Sequence, residues 1–407
     1  GECLIIDRRY EADRWHGGVQ IGDCEVENLQ SLRLLDPALP VGGESHTPSG
    51  SGTPKTVFID LETTGLSGGA GTLAFLVGCG YFDAGAFQVR QFLLPSHSSE
   101  RALLALVADF LDDADLIVTY NGKTFDVPVM ETRWSFHRLE MPEIGGEDGV
   151  PHFDMLHPAR RLWKNRTKSV TTTDVGAIFG RPVAEDEEGC RLAHLERALF
   201  DVRRVGDVPG MEIPGRFFRF VRSGDAAPLE PVLEHNRIDL VSLAAVTARA
   251  VRLAEQGHEA CTDNAEALAL GRIYERASLN ERAEACYRRA ATSSNPFTRA
   301  DALCRLGIRL RRDRRVADAA SIWRELIDFT ESRAMRRGVL GDLRQVAIEA
   351  MAIHQEHRAK DLAGARELAL AALEECDTRV EGSVRHRLAR IDRKLSVKNP
   401  TAGLFSN

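Results

Sequence analysis

The pattern of apolar and polar positions changes character twice along this chain of 407 residues. KTVFIDLE (55–62) alternates and then runs apolar, as a buried strand does. LAFLVGCGYF (73–82) and AFQVRQFLL (86–94) follow, split by the turn Asp83-Ala84-Gly85, and predict a hairpin. Together the three segments make an antiparallel meander. ERALLALVADFLDD (100–113) then sets apolar residues at helical spacing, and DLIVTYN (115–121) is a short β-rich run. Residues 127–139 predict a helix with Pro128 in its first turn, where a missing N–H does no harm, and HFDML (152–156) predicts a further strand. Meander, helix, strand, helix, strand is an α/β arrangement with a mixed sheet. Residues 160–230 read as helix and loop, and 229–257 as one long, well-patterned helix that closes the domain.

On either side the pattern differs. Residues 1–54 read as a weakly structured lead-in ending in a flexible linker, because PVGGESHTPSGSGTP (40–54) is rich in Gly, Ser, Thr and Pro. Residues 262–397 are helical throughout and repeat. Gly271, Ala283, Tyr287 and Ala290 are matched by Gly307, Ala319, Trp323 and Leu326. A weaker third copy sets Ile353, Ala365, Ala369 and Ala372 at the same internal spacing. Small residues with an aromatic four positions on resemble the tetratricopeptide repeat. The competing reading is a generic bundle rich in Ala, Leu and Arg. The expected domains are therefore an N-terminal extension and linker over 1–54, an α/β unit over 55–257, and a helical-repeat unit over 262–397.

Composition narrows the class. A hydrophobic share of 43% with 28% charged residues suits soluble, folded protein. No apolar run of about eighteen residues is present to span a membrane, and GECLIIDRRYEADRW (1–15) lacks the apolar core of a signal peptide. Eight scattered cysteines without a CxxC pair argue against a zinc site or a disulfide framework, and the expected home is a reducing cytoplasm. The net charge of −7 hides an asymmetry: residues 271–398 hold 27 Lys and Arg against 19 Asp and Glu, the rest 26 against 41. An acidic half suits a nucleic-acid enzyme only if its carboxylates hold cations. The basic half either attracts phosphate or solvates helix faces.

The sharpest chemistry is Asp60-Leu61-Glu62 at the end of a strand. Residues two apart on a strand share a face, so the two acids converge and repel unless a cation lies between them. Hard oxygen donors of this kind suit Mg²⁺ or Mn²⁺. Thr63, Thr64, Gly65 and Leu66 follow directly. After the next β-rich run comes Asn121-Gly122-Lys123-Thr124-Phe125-Asp126, an acid opening a helix. His235 and Asp239 stand four apart on the long helix and so on one face.

These three blocks, in this order, resemble the DEDD family of 3′–5′ exonucleases. Within it the chain most resembles the YprB-type ribonuclease H-like exonuclease domain, through DLETTGLSGGAGT (60–72), VTYNGKTFDVPV (118–129), HFDMLHPARRLW (152–163) and LEPVLEHNRIDLVSL (229–243). The resemblance covers roughly residues 55–255. It implies a ribonuclease H-like fold and two divalent ions, Mg²⁺ or Mn²⁺, held by Asp60, Glu62, Asp126 and Asp239. It further implies that His235 takes the proton from the attacking water, with single-stranded or frayed 3′ ends as substrate. One departure stands: in the histidine subclass the His usually lies five residues before the last acid, and here it lies four before.

Several residues have rival readings. His235 is either the base or a packing histidine. Asp154 reads as a structural residue bonded near a helix start. The Gly-rich stretch 65–72 lacks the phosphate-loop Lys and reads as a turn admitting a nucleic-acid strand. Asn121 and Lys123 join Thr63, Thr64, Gly65 and Leu66 as expected nucleic-acid contacts. Arg160, Arg161, Lys164, Arg166 and Lys168 with Trp163 form either a backbone-and-stacking surface or a solvated helix face. At the level of function the rivals are a catalytically silent binding scaffold and an endonuclease of the same fold. The repeats would hold a protein partner or guide substrate.

Overall fold

The computed structural model describes residues 2–26, 28–40, 55–65, 71–140, 142–146, 149–164, 190–332, 335–336, 338–375 and 378–398. Of the expected linker over 40–54 all but Pro40 lies outside the described residues, as do Leu66, Arg166 and Lys168. The chain divides into two compact units, one ending at Gln256 and the other resuming at Gly257.

The first unit is built on a six-stranded sheet. Strand β1 (Leu4–Tyr10) comes first, then the two-residue ribbon β2 (Trp15–His16) and β3 (Val19–Gln20), and a short helix α1 (Leu32–Leu35). The meander is β4 (Thr56–Thr63), β5 (Ala74–Asp83) and β6 (Ala86–Leu93). Helix α2 (Glu100–Leu111), β7 (Leu116–Thr119), α3 (Asp126–His137), β8 (His152–Asp154) and α4 (Leu156–Trp163) follow. The unit closes with α5 (Leu192–Phe200), α6 (Ile213–Ser223) and α7 (Glu230–Gln256). The strand order is β1-β6-β5-β4-β7-β8, antiparallel up to β4 and parallel from β4 to β8. This is the mixed sheet that the pattern predicts and the ribonuclease H-like arrangement that the resemblance implies.

The lead-in reading of residues 1–54 needs correction, because Leu4–Tyr10 is the edge strand of the sheet, paired with β6 from Leu4 opposite Leu93 to Tyr10 opposite Phe87. LIIDRRY gives little local sign of this. Leu4 and Ile5 remain 45% and 46% exposed, so the strand is held by ladder hydrogen bonds to β6 more than by burial. By contrast β7 is buried at every position, as a parallel strand covered on both faces must be. Helix α7 is buried at every residue from Leu240 to Ala248, which explains an apolar pattern running all round that stretch. A stacked pair, Phe75 on β5 and Phe217 on α6, with centroids 4.3 Å apart, ties α6 to the sheet.

The second unit is a run of helical hairpins: α8 (Asn264–Arg276) with α9 (Asn280–Ala290), α10 (Pro296–Arg312) with α11 (Val316–Phe329), and α12 (Gly338–His354) with α13 (Leu362–Glu375), followed by α14 (Thr378–Lys398). The starts are set locally. Asp263 accepts the Glu266 amide at 2.8 Å, and Asn295 accepts those of Phe297 and Thr298 just ahead of Pro296. The repeated glycines mark close helix crossings: a Cβ at Gly271 would lie 2.6 Å from the Tyr287 ring, and one at Gly307 would lie 2.2 Å from Trp323 Nε1. Ala365, Ala369 and Ala372 are buried in the third hairpin. Much of the positive charge here is already paired. Arg305 lies 2.8 Å from Asp301 and 3.3 Å from Glu275, Arg315 2.9 Å from Glu284, and Arg390 and Lys394 each 2.7 Å from Glu356.

Candidate active site

Asp60 and Glu62 project from the last half of β4, two residues apart on one face. The partner opposite Asp60 on β5 is Gly78, and a side chain there would collide with α7: its Cβ would lie 2.2 Å from Asn236 Oδ1. The missing side chain lets the helix approach the strand. Asn236, fully buried, donates to Asp60 Oδ2 at 2.8 Å and to the Asp60 carbonyl at 3.1 Å. Gln91 on β6 fixes that amide in turn, giving Nε2 to Asn236 Oδ1 at 2.8 Å.

Asp126 opens α3, where a carboxylate is favoured by the helix dipole, and is 6% exposed. From α7, His235 and Asp239 lie one turn apart, with His235 Nε2 3.3 Å from Asp239 Oδ2 and 4.0 Å from Glu62 Oε1. Three elements thus bring Asp60, Glu62, Asp126, Asp239 and His235 to one place. The electrostatics carry the mark of that convergence. Burial, then the charges of Asp239, Glu62 and Asp126, holds the Asp60 carboxyl well above the usual carboxylate range. Burial, then Asp239, Asp126 and Asp207, does the same to Glu62. Burial pushes Asp126 up to about 7, with the amides of Asp126 and Leu61 opposing and Asp154 adding to the rise.

Two groups that no motif marks complete the neighbourhood. Arg204, between α5 and α6, meets Asp239 Oδ1 at 2.5 Å and Glu196 at 2.6 and 2.9 Å. Asp207 Oδ1 lies 2.5 Å from His235 Nδ1. Burial pushes the Asp207 carboxyl up, but the hydrogen bond and charge of His235 prevail and hold it below its ordinary value. Both residues stand among ordinary charged loop positions, DVRRVGD (201–207), so sequence offers no signal that would single them out.

The remaining expected contacts are structural in their visible bonds. Thr63 gives its hydroxyl to the Gly65 carbonyl at 2.8 Å, and Thr64 Oγ1 accepts the Leu73 amide at 3.0 Å, closing the turn after β4. Asn121 adopts a left-handed backbone, with φ 68°. Asp154 accepts the amides of Asn121, Lys123 and Leu156 at 2.8, 3.1 and 3.0 Å, pinning the loop that leads to Asp126 and the start of α4. Lys123 Nζ is 3.1 Å from Asp36, so its charge is already partnered. Trp163, read with its basic neighbours as part of either a stacking surface or a solvated helix face, is neither, because α4 turns it fully into the core.

The donor set suits divalent metal by its chemistry: four carboxylates, hard oxygen ligands, crowded where burial and mutual repulsion disfavour their charge, which a cation relieves. Among the described residues no three such side chains already stand at the spacing of a coordination sphere, and Asp239 is turned onto Arg204. No helix among the described residues is long and apolar enough to cross a membrane.

The chain is 30% identical over 402 residues to the Uncharacterized protein YprB of Bacillus subtilis (strain 168), covering 97% of this chain and 86% of that one. A family B DNA polymerase from the hyperthermophilic archaeon Pyrobaculum calidifontis aligns in structure with a TM-score of 0.31 and 15% identity. That match covers 55% of this chain and 29% of the polymerase, a likeness too slight to carry an argument. The family model of the RNase_H superfamily matches residues 57–251, the stretch that holds all of these carboxylates. The chain therefore belongs to the ribonuclease H superfamily, in the family of YprB.

Proposed function

We propose that the nucleic-acid cleavage expected of this superfamily takes the form, in this chain, of 3′–5′ exonucleolytic hydrolysis of phosphodiester bonds. The observation that carries the reading is the convergence of Asp60, Glu62, Asp126 and Asp239 from β4, α3 and α7, with His235 Nε2 facing the same carboxylates. The four acids would hold two divalent ions, Mg²⁺ or Mn²⁺. When bound, such ions activate a water and neutralise the charge that develops on the phosphate. His235 receives the proton of the attacking water at Nε2, a role open to an imidazole whose Nδ1 is already bound to Asp207. Asn236 keeps Asp60 in one rotamer throughout. Thr63, Thr64 and Gly65 after β4, with Asn121 and Lys123, would border the path of a bound nucleic-acid strand. The helical hairpins, tetratricopeptide-like in their Gly and aromatic spacing, supply a surface for a protein partner.

The test is digestion of 5′-labelled single-stranded oligonucleotides with Mg²⁺ or Mn²⁺, against the same substrate blocked at its 3′ end and a circular one. The expected result is stepwise shortening of the free 3′ end only, lost in Asp60→Ala and Asp239→Ala while circular dichroism stays native. Cleavage of the circular substrate would establish an endonuclease instead, and digestion that survives both substitutions would end the proposal.

A further inference from the structure

Arg204 and Asp207 reach the carboxylates from either side of one bend, Arg204-Val205-Gly206-Asp207, with Gly206 at φ 72°. The root of Arg204 is locked. Its side chain is 7% exposed and grips Glu196, which is 1% exposed, through two nitrogens at 2.6 and 2.9 Å. Glu196 also accepts the hydroxyl of Ser242 on α7, and that oxygen lies 2.8 Å from His16 Nε2 in the N-terminal ribbon. Arg204 is therefore anchored on a carboxylate that is itself tied to α7. What it then offers is the rest of a rigid fork: Nη2 to Asp239 Oδ1 at 2.5 Å, and Nη1 3.6 Å from Asp207 Oδ2.

Two consequences follow for the groups assigned above. Asp239 has one oxygen committed to Arg204, so its other oxygen, Oδ2, is the one left toward His235 and the neighbouring acids. Asp207 can only accept and lies 2.5 Å from His235 Nδ1, nearer than the donor Nη1 of Arg204 at 3.5 Å, so the shorter contact assigns the hydrogen of the neutral ring to Nδ1 and the free electron pair to Nε2, which faces Asp239 and Glu62. A purely structural arginine would be satisfied by Glu196 alone, and one that binds substrate would not have its donors engaged beneath the surface.

We propose that Arg204 is the positioning residue of this site: anchored on Glu196, it selects the oxygen of Asp239 that is presented to a divalent cation, and through Asp207 it orients His235. The proposal rests on the exonuclease reading above. It concerns side chains that support ligands and base, whose loss in metal sites typically costs about ten- to a hundred-fold in affinity or rate.

The test uses the purified full chain, with Mn²⁺ binding measured by calorimetry in the absence of nucleic acid and steady-state digestion of a single-stranded oligonucleotide measured separately. Arg204→Lys keeps the charge but cannot fork between Glu196 and Asp239. It is expected to weaken Mn²⁺ binding and lower kcat, each by about ten- to a hundred-fold, with KM unchanged. Asp207→Ala is expected to lower kcat to a similar degree while changing Mn²⁺ binding less than Arg204→Lys does, because its contacts are with His235 and Arg204 and not with Asp239. If Arg204→Lys does not fold, Glu196→Gln, which loosens the anchor alone, is expected to move Mn²⁺ binding in the same direction. Wild-type Mn²⁺ affinity in a folded Arg204 or Glu196 variant overturns the proposal, as does a raised KM at constant kcat. If the wild type binds Mn²⁺ and digests nothing, the exonuclease reading fails while the Mn²⁺ comparison still decides the role of Arg204. If the wild type binds no Mn²⁺, both fall.

Discussion

Asn236 reaches Asp60 with one amide nitrogen, 2.8 Å from the carboxylate Oδ2 and 3.1 Å from the backbone carbonyl of the same residue. The contact joins a helix to a strand 176 positions earlier and fixes the side chain around which the candidate metal site is built. It exists only because β5 presents no side chain at Gly78.

Gly78→Ala should therefore disturb both stability and the site. The added methyl would stand 2.2 Å from Asn236 Oδ1, and overpacking of this kind costs about 1–3 kcal/mol. Urea unfolding should show that loss. Combined with Asn236→Ala, which removes the obstacle, the cost should be less than the sum of the single changes. Strict additivity would show that the two positions do not meet.

The pH dependence of stability has a definite sign at Asp126. Its folded carboxyl is pushed up to about 7, against an ordinary value of 3.8. Relative to the unfolded chain, the protonated group favours folding below about 4, and that advantage is lost as pH rises toward about 7. In chelator, Asp126→Asn should leave the melting temperature little changed near pH 4 and raise it progressively up to pH 8. A variant equally or less stable than wild type at pH 8 would contradict the burial and repulsion described for this acid.

Glu356 gives the opposite sign in the helical unit. Burial pushes its carboxyl up, but hydrogen bonds from Arg390 and Lys394 prevail and hold it down at about 2, below an ordinary 4.5. Its contribution is present above about 4.5 and is lost as pH falls toward 2. Glu356→Gln should lower the stability of this unit at pH 7 by roughly 1–3 kcal/mol, the figure for leaving buried hydrogen-bonding groups poorly matched. Helix-monitored urea unfolding at pH 7 and pH 3 should show the difference shrinking in acid.

The helix crossings make a packing prediction. Gly307→Ala would place a methyl 2.2 Å from Trp323 Nε1 and should cost about 1–3 kcal/mol. Pairing it with Trp323→Leu, which clears the space, should recover part of that loss relative to the sum of the two changes. Tryptophan fluorescence and urea unfolding of the single and double variants would measure it.

Features whose physics is local were legible in the chain before it folded. Alternation and apolar runs fixed β4, β5, β6 and β7, helical periodicity fixed α2 and α7, and two acids two apart on a strand had to share a face. His235 and Asp239 had to share a helix face for the same reason, and Gly271 and Gly307 announced crossings because small residues recur where helices touch. Tertiary structure alone decided what depends on distant partners. LIIDRRY is a strand only because β6, some eighty residues on, offers it a ladder. Trp163 is core because α4 turns it inward. Arg204, Asp207 and Glu196 join the carboxylates from a stretch that reads as ordinary surface charge. A charged side chain has no local preference that reveals its partner, so its role appears only when folding sets the opposing charge 2.5 Å away, as Asp239 is from Arg204.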